Sequence, residues 1–410
     1  MPQISATPEL HSRTRRAGYD PAVLERCCVL VVGAGALGQN HAHDLALTGV
    51  RELRIVDGDV FEDHNRTRSP LHPRRGTYVP GERLPKATCV GRELRAVHVD
   101  EQASILVADT WVEELGLGAF EGVDVIAACV DSLVARSYLA RVAMLLGIPI
   151  VDGGFSGAQV GMTLYPATGD PQRSPCWSCA GEALPGAFSC EQYARYSDTT
   201  GVVPAIQNGA AALGALCSEA VVGLLHGREP APRRVMLDLR TGESEVFRPR
   251  PDPECSERHR RLSGTVSSGI SIGATAAEAL ATLGHGVTLF PPDVFVERAN
   301  CPESGCGATC EVGAPAHRWR RDPRCEQCGG PWPRAGEQIP SPDLIAGGLT
   351  AADPRSHLTL GRLGARPGDV LEVSGAAEGA VRIAGDFREL FVQLPLTSGA
   401  GGDTVLAETH

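Results

Sequence analysis

At 410 residues the chain is too long for one ordinary core, and roughly 150 residues per domain suggests two or three units. Hydrophobic residues make up 42% and charged residues 21%, which excludes a disordered or fibrous chain, and the net charge of −11 argues against a nucleic-acid partner. Gly (48) and Pro (30) are abundant while aromatics are only 5%, so turns and close backbone approaches should be frequent. The N-terminal MPQISATPELHSRTRRAGY lacks the apolar core of a signal peptide. The apolar stretch from Val202 to Leu225 is interrupted by Gln207, Asn208, Ser218 and Glu219, so no membrane span is expected. The reading is a cytoplasmic, reducing location, where clustered cysteines hold metal or do chemistry; there are 14 of them.

The first strong signal is Val29-Leu30-Val31-Val32 running into Gly33-Ala34-Gly35-Ala36-Leu37-Gly38. A helical stretch to about Leu47 and a second strand, Glu52 to Val56, ending at Asp57, complete a βαβ unit. Glycines in GxGxxG let the backbone approach a phosphate at a helix N-terminus, and an acid after the second strand can bond a ribose hydroxyl. Alone, this motif also fits a turn that merely packs helix on strand.

Further strands are expected near 104–107, 123–129 and 148–151, with a helix from Leu133 to Leu146. This alternation implies a parallel, doubly wound sheet with ligands at the carboxyl ends of its strands, where Asp131 would sit. Pro175-Cys176-Trp177-Ser178-Cys179 is a CxxC knuckle. A Gly/Pro-rich stretch with Cys190 follows, then an Ala-rich helix over 205–225 and strands near 234–239 and 242–247. Prolines 249, 251 and 253 mark a domain edge. Beyond it, Thr275-Ala-Ala-Glu278 reads as a capping box, and strands are expected at 287–290 and 294–298. The segments 370–373, 381–384 and 390–394 read as a small β-meander.

From about Arg13 to Gly227 the chain resembles the ThiF/MoeB family, homodimeric relatives of ubiquitin-activating enzymes. The resemblance rests on motifs in order: GAGALG at 33–38, Ile55-Val-Asp57-Gly-Asp59, Asn65-x-x-Arg68, Lys86 in Pro-Lys-Ala-Thr, Asp131-Ser132, the CxxC at 176–179, and Ser189-Cys190 before Gly201-Val-Val-Pro. It implies a Rossmann-like, mostly parallel adenylation domain that binds ATP with Mg²⁺. The reaction implied is attack on the ATP α-phosphate by the C-terminal glycine carboxylate of a ubiquitin-like or sulfur-carrier protein. By resemblance, Gly33, Gly35, Gly38, Asp57 and Asp59 belong to the nucleotide site. Asn65, Arg68 and Lys86 hold the triphosphate, as cations facing developing charge should. Asp131 matches the Mg²⁺-positioning acid, and Arg13 an arginine that reaches the partner subunit's ATP. Cys190 matches a loop cysteine that takes the acyl group as a thioester or carries a persulfide. Taken singly, Lys86 also fits a solvated surface charge, Asp131 a helix cap, and Cys190 an incidental thiol.

The remaining cysteines divide further. Cys176 and Cys179 need a second ligand pair for tetrahedral zinc, and Cys255 with His259 supplies it at one residue more than the usual spacing. Cys301, Cys306, Cys325 and Cys328 are preferred for a zinc ribbon, leaving Cys310 spare. Cys27, Cys28, Cys129 and Cys217 fall in apolar segments and read as core, and Cys89 as packing.

The expected organisation is therefore an adenylation domain at 1–260, a zinc-ribbon segment at 261–335 and a small β-rich domain at 336–410. A partner-recruiting role for the last two implies that deleting 265–410 leaves ATP–pyrophosphate exchange measurable. Rival readings are adenylation of a peptide or small carboxylate in natural-product assembly, an NAD(P)-dependent oxidoreductase, and an inactive zinc-stabilised binding module.

Overall fold

The computed structural model describes residues 10–73, 83–156, 158–167, 174–181, 206–228, 231–255, 259–301, 303, 305–319, 324–330, 344–345, 348–375 and 379–395. Its centre is a parallel sheet of β1 (Cys28–Val32), β2 (Glu52–Val56), β3 (Ser104–Ala108), β4 (Val125–Ala128) and β5 (Ile150–Ser156). The strands stand in the order β3-β2-β1-β4-β5, so the order reverses beside β1. Such a reversal opens a crevice at the carboxyl ends of β1 and β4. Beyond β5 the sheet turns antiparallel through β6 (Gln159–Tyr165), β7 (Arg233–Asp238) and β8 (Ser244–Phe247).

Every residue of β1 is buried because helices cover both sheet faces. Val29 and Val31 join Leu53, Ile55 and Ile105 on one face, beneath α3 (Ala36–Thr48), α4 (Lys86–Val97) and α7 (Gln207–Leu225). Leu30 and Val32 join Ile126 on the other, against Leu139, Val142 and Ala143 of α5 (Leu133–Leu146). The side-chain period of two in a strand produces this division. α7 has the length and apolarity of a membrane span, yet Leu213, Cys217 and Val221 pack into the first core. Before the sheet lie two short helices, α1 (Ser12–Arg16) and α2 (Pro21–Leu24), and α6 (Trp177–Gly181) carries the CxxC knuckle.

The C-terminal half departs from the sequence reading in two ways. First, β9 (Thr265–Ser267), β10 (Val287–Leu289), β14 (Val370–Gly375) and β15 (Gly379–Arg382) form one sheet, in the order β10-β14-β15-β9. This sheet takes strands from both sides of the boundary expected at 335/336. The cysteine-rich lobe, with β11 (Phe295–Asn300), β12 (Thr309–Pro315) and β13 (Leu344–Ile345), is an insertion between β10 and β14. The capping box does open α8 (Ala276–Leu283), with Thr275 and Glu278 bonding each other's backbone N–H groups.

Second, 390–394 does not extend a meander. β16 (Val392–Gln393) runs antiparallel to β3 and closes that edge of the large sheet. Phe387 and Phe391 enter one core cluster and Leu394 the other. Edge pairing with β3 and burial of three apolar side chains outweigh a third strand on a half-exposed meander, at about 2 kcal/mol for each buried side chain.

Candidate active site and metal centre

The glycine loop leaves β1 with Gly33 at φ +94°, its N–H donating to Val56 O at 2.8 Å. A Cβ on Gly38 would fall 1.8 Å from Gly33 O, so only glycine lets α3 cross this close. Gly35 is the N-cap of α3 and supplies no side-chain cap, leaving first-turn N–H groups for an anion.

Asp57, just past β2, accepts N–H bonds from Ala34 at 2.6 Å and Asp59 at 2.8 Å. Burial raises its carboxyl pKa, opposed first by the Lys86 charge and then by these donors. Lys86 opens α4. Its N–H donates to Asp59 O at 2.9 Å and its Nζ lies 2.7 Å from Asp59 Oδ2. Asp109, past β3, caps the same turn through Thr88 N at 3.0 Å and Thr88 Oγ1 at 2.5 Å. Lys86 is thus fixed from two strand ends.

Asn65 and Arg68 lie on the 3₁₀ turn Asp63–Arg68. Asn65 is buried and its Oδ1 accepts Glu62 N–H at 2.8 Å, while Arg68 is half-buried. Gln39 ties this segment to the loop, donating to Ala34 O at 3.0 Å and Ser69 Oγ at 3.1 Å and accepting from Leu71 N at 3.1 Å. Across the crevice, Ser132 caps α5 through Ala135 N at 3.3 Å, leaving the adjacent Asp131 carboxylate exposed and out of the cap. Arg136 holds this corner from beneath. It donates to Val130 O at 2.7 Å and Gly153 O at 3.1 Å and forms a buried pair with Asp152.

Gly33, Gly35, Gly38, Asp57, Asp59, Lys86 and Asp131 therefore gather at the carboxyl ends of β1, β2 and β4. Arg13 stands apart: His11 lies against Gly49, the C-cap of α3, so Arg13 is on the order of 20 Å from the glycine loop by helix length. Cys190 lies outside the described residues.

The CxxC knuckle meets its second half across the chain. Cys176 Sγ is 3.8 Å from Cys179 Sγ and 3.5 Å from Cys255 Sγ, and Cys179 Sγ is 3.0 Å from His259 Nε2. All four ligand atoms lie within 4.8 Å of one another. His259 adopts φ +38°, a region costly for a residue with a Cβ, while placing its ring in the cluster. A hydrogen bond from Cys176 lowers the pKa of the Cys179 thiol. Three sulfurs and one imidazole suit four-coordinate zinc, with no open position for catalysis. Cys176 and Cys179 pack on Ala140 and Met144, so the cluster braces α5. A second group, Cys301, Cys306, Cys325 and Cys328, also converges within 4.8 Å.

The chain belongs to the ThiF family. The family's model matches residues 15–257, well over half of the chain. Curated relatives include the adenylyltransferase and sulfurtransferase MOCS3 of Arabidopsis thaliana, 29% identical over 215 residues, covering 52% of this chain and 43% of that protein. The sulfur carrier protein ThiS adenylyltransferase of Bacillus subtilis is 30% identical over 185 residues, covering 45% and 51%. The chain thus spans about half the length of these relatives. Among solved structures, E. coli MccB crystallised with MccA-N7isoASN aligns with a TM-score of 0.50 at 17% identity, covering 63% of this chain and 76% of that one. That likeness is one of fold. In ThiF-family terms, the matched segment ends between Cys255 and His259, and the inserted lobe and second sheet lie beyond it.

Sequence reasoning missed Gln39, Asp109, Arg136 and Asp152. Each acts by holding backbone or a partner side chain from another element, and no local pattern marks such residues. Cys28, Cys89 and Cys217 are buried, whereas Cys27 and Cys129 are half-buried. Burial pushes the Cys27 thiol up to about 11 and raises Cys28, Cys129 and Cys217 further, so these thiols stay protonated near neutral pH.

Proposed function

We propose that this ThiF-family chain is an ATP-dependent adenylyltransferase acting on the C-terminal carboxylate of a ubiquitin-like or sulfur-carrier protein. The observation that carries the reading is the convergence of the glycine loop, Asp57, Lys86 and Asp131 on one crevice. An oxidoreductase needs the loop and Asp57 but has no use for Lys86 or Asp131 there. The adenylyltransferase activities of the MOCS3 and ThiS-activating relatives support the same reading.

In this mechanism the N–H groups at the start of α3 receive phosphate oxygens and Asp57 accepts from the ribose. Lys86, released from Asp59, and Arg68 face the charge that builds on the α-phosphate and leaving pyrophosphate, and Asn65 donates a hydrogen bond there. The carrier's carboxylate oxygen bonds to the α-phosphorus as the bond to the bridging oxygen breaks, giving acyl-adenylate and pyrophosphate. Asp131 and the phosphate oxygens suit Mg²⁺, a hard cation that would draw off phosphate charge. Cys190 then accepts the acyl group through its thiolate, displacing AMP; where a persulfide donor has first passed a sulfane sulfur to Cys190, the terminal sulfur of that persulfide attacks the acyl carbon instead and AMP leaves in the same way. Arg13, remote from its own loop, fits a homodimer in which it serves the partner's site. The cluster of Cys176, Cys179, Cys255 and His259 holds structural zinc.

Radiolabelled pyrophosphate exchange into ATP, dependent on an added carrier ending in glycine, is the expected result. Exchange dependent on a peptide or small carboxylate instead would move the activity to that substrate class. Nicotinamide binding without exchange would support the oxidoreductase, and tight nucleotide binding without exchange a binding module. A thiol-labile adduct lost in Cys190→Ala identifies the nucleophile.

A further inference from the structure

The lobe inserted between β10 and β14 is too small to hold itself by burial. Among the described residues its core consists of Val296, Ala299, Ala308, Ala316 and Cys325, with Val294 and Val312 half-buried against it, and alanines and a thiol bury little apolar area. What it has instead is four thiols from two knuckles. Cys301 Sγ lies 3.6 Å from Cys328 Sγ, and Cys306 Sγ lies 3.9 Å from Cys325 Sγ. Zinc–sulfur bonds of about 2.3 Å in a tetrahedron give sulfur–sulfur edges of about 3.8 Å, whereas a disulfide needs about 2.05 Å.

The backbone is shaped for the same purpose. Gly307 and Gly329 follow the second cysteine of each knuckle in left-handed conformation, at φ +61° and +70°. Gly330 N donates to Cys328 Sγ at 3.3 Å, a bond that favours thiolate. Gly329 N and Cys325 O close the second knuckle at 2.8 Å, and Cys301 N reaches Ala308 O at 2.8 Å across the first. Cys310 pairs across the ladder with Ala299 and stands outside the four.

Between the two knuckles, β12 runs directly into the short helix α9 (Ala316–Trp319), which reaches the adenylation domain. Arg318 grips the buried Glu114 carboxylate with both arms, Nε to Oε1 at 2.8 Å and a terminal nitrogen to Oε2 at 2.7 Å. His317 lies between Asp293, with Nδ1 at 2.8 Å from Oδ2, and Glu114, with Nε2 at 3.2 Å from Oε1. Arg366, from the loop before β14, adds a third contact to Glu114 and donates to Glu114 O at 2.8 Å. Glu114 ends the 3₁₀ turn Val112–Glu114, in the segment after β3 that also carries Asp109.

We propose that Cys301, Cys306, Cys325 and Cys328 bind a second zinc ion, separate from the one at 176–259, and that this ion locks the His317–Arg318 clamp on Glu114. Two equivalents of zinc then belong to each chain, and the second sets how firmly the C-terminal module seats on the adenylation domain. Metal binding supplies the folding energy that the small apolar core lacks.

The test uses the full chain from zinc-replete expression. Elemental analysis should give two zinc per wild-type chain, and one in Cys306→Ser/Cys325→Ser. In the same variant, hydrogen exchange at 112–118 should accelerate by about tenfold or more while residues 28–38 keep their protection. Cys328→His in an otherwise wild-type chain, which keeps a permitted ligand at that place, should leave both readouts near wild type. Cobalt reconstitution of the wild type, which needs no variant to fold, should show sulfur-to-metal charge transfer for two tetrahedral sites. One zinc per wild-type chain, unchanged in the double variant, would overturn the second site. Two zinc with unaltered exchange at 112–118 would overturn the clamp.

Discussion

The ThiF-family domain and the inserted lobe solve the same problem by different means. Around β1 to β5, Leu30, Leu53, Ile55, Ile105 and Ile126 are fully buried, and their combined area stabilises the sheet without help. In the lobe, the largest wholly buried aliphatic of the cluster is Val296, and convergent thiols take the place of missing bulk. A region rich in leucine and isoleucine tolerates loss of a ligand; a region built from alanine, glycine and cysteine does not. The seam between the large-sheet domain and the C-terminal module carries ion pairs centred on Glu114, reached from the lobe by His317 and Arg318, with Arg382 of β15 to Glu121 at 2.9 Å as a lesser pair.

The largest way to break this contrast is truncation. Removing 265–410 also removes β16, Phe387, Phe391 and Leu394, exposing the edge of β3 and both faces of the large sheet. The sequence-based expectation of an active truncated domain is therefore revised: soluble yield and cooperative unfolding should collapse. Phe391→Ala alone should lower stability by about 3 kcal/mol in urea melts. A truncation retaining normal stability would show that the C-terminal return is dispensable.

Next comes the clamp. Glu114→Ala leaves His317, Arg318 and Arg366 facing an empty, buried position, with an expected loss of about 3 kcal/mol. The carboxyl of Glu114 is held below its ordinary range by hydrogen bonds and charge from His317 and Arg318, against the cost of burial. A depressed folded pKa gives stability that is present above the unfolded value and lost as pH falls through the folded one. Wild type should therefore shed the seam in acid below about pH 4, and Glu114→Ala should lack that component.

Asp369 provides the opposite sign on the same seam. It is wholly buried, accepts Val370 N at 2.7 Å and Gly118 N at 3.3 Å, and burial pushes its carboxyl up to about 6. A raised folded pKa gives stability that is complete below the unfolded value and lost as pH rises through about 6. Asp369→Asn, which keeps the acceptor, should gain about 2–3 kcal/mol over wild type at pH 8 and nothing at pH 3. A gain equal at both pH values would remove titration as the cause.

The smallest stability effect belongs to the crevice. Lys86→Ala removes a pair whose acid is half exposed, so the melting temperature should change by only about 1–2 °C. The same variant should lower pyrophosphate exchange by about 10²-fold or more. Equal losses in folding and exchange would make Lys86 a structural residue.

Much of the doubly wound sheet was legible, because β1, β2 and α5 carry their own signals: an unbroken apolar run, a glycine loop, and apolar periodicity closed by Gly147. β6 was not legible, since Gln159–Tyr165 alternates weakly and its place depends on β5 and β7 on either side. In the crevice, Gly33, Gly38, Asp57 and Lys86 stand out by motif. Gln39, Asp109 and Arg136 do not, because their partners are 30, 21 and 16 residues away.

Sequence alone determined the family and the nucleotide loop, since those depend on residue type at short spacing, and it marked the cysteine knuckles without fixing which of them converge. Only the tertiary structure decided that the β-rich tail returns to the large sheet and that the cysteine lobe is an insertion whose helix between the knuckles grips Glu114. A strand of two residues and an ion pair spanning 204 positions leave no local pattern. They form because closing an edge and satisfying a buried carboxylate lower the free energy only once the whole chain has folded.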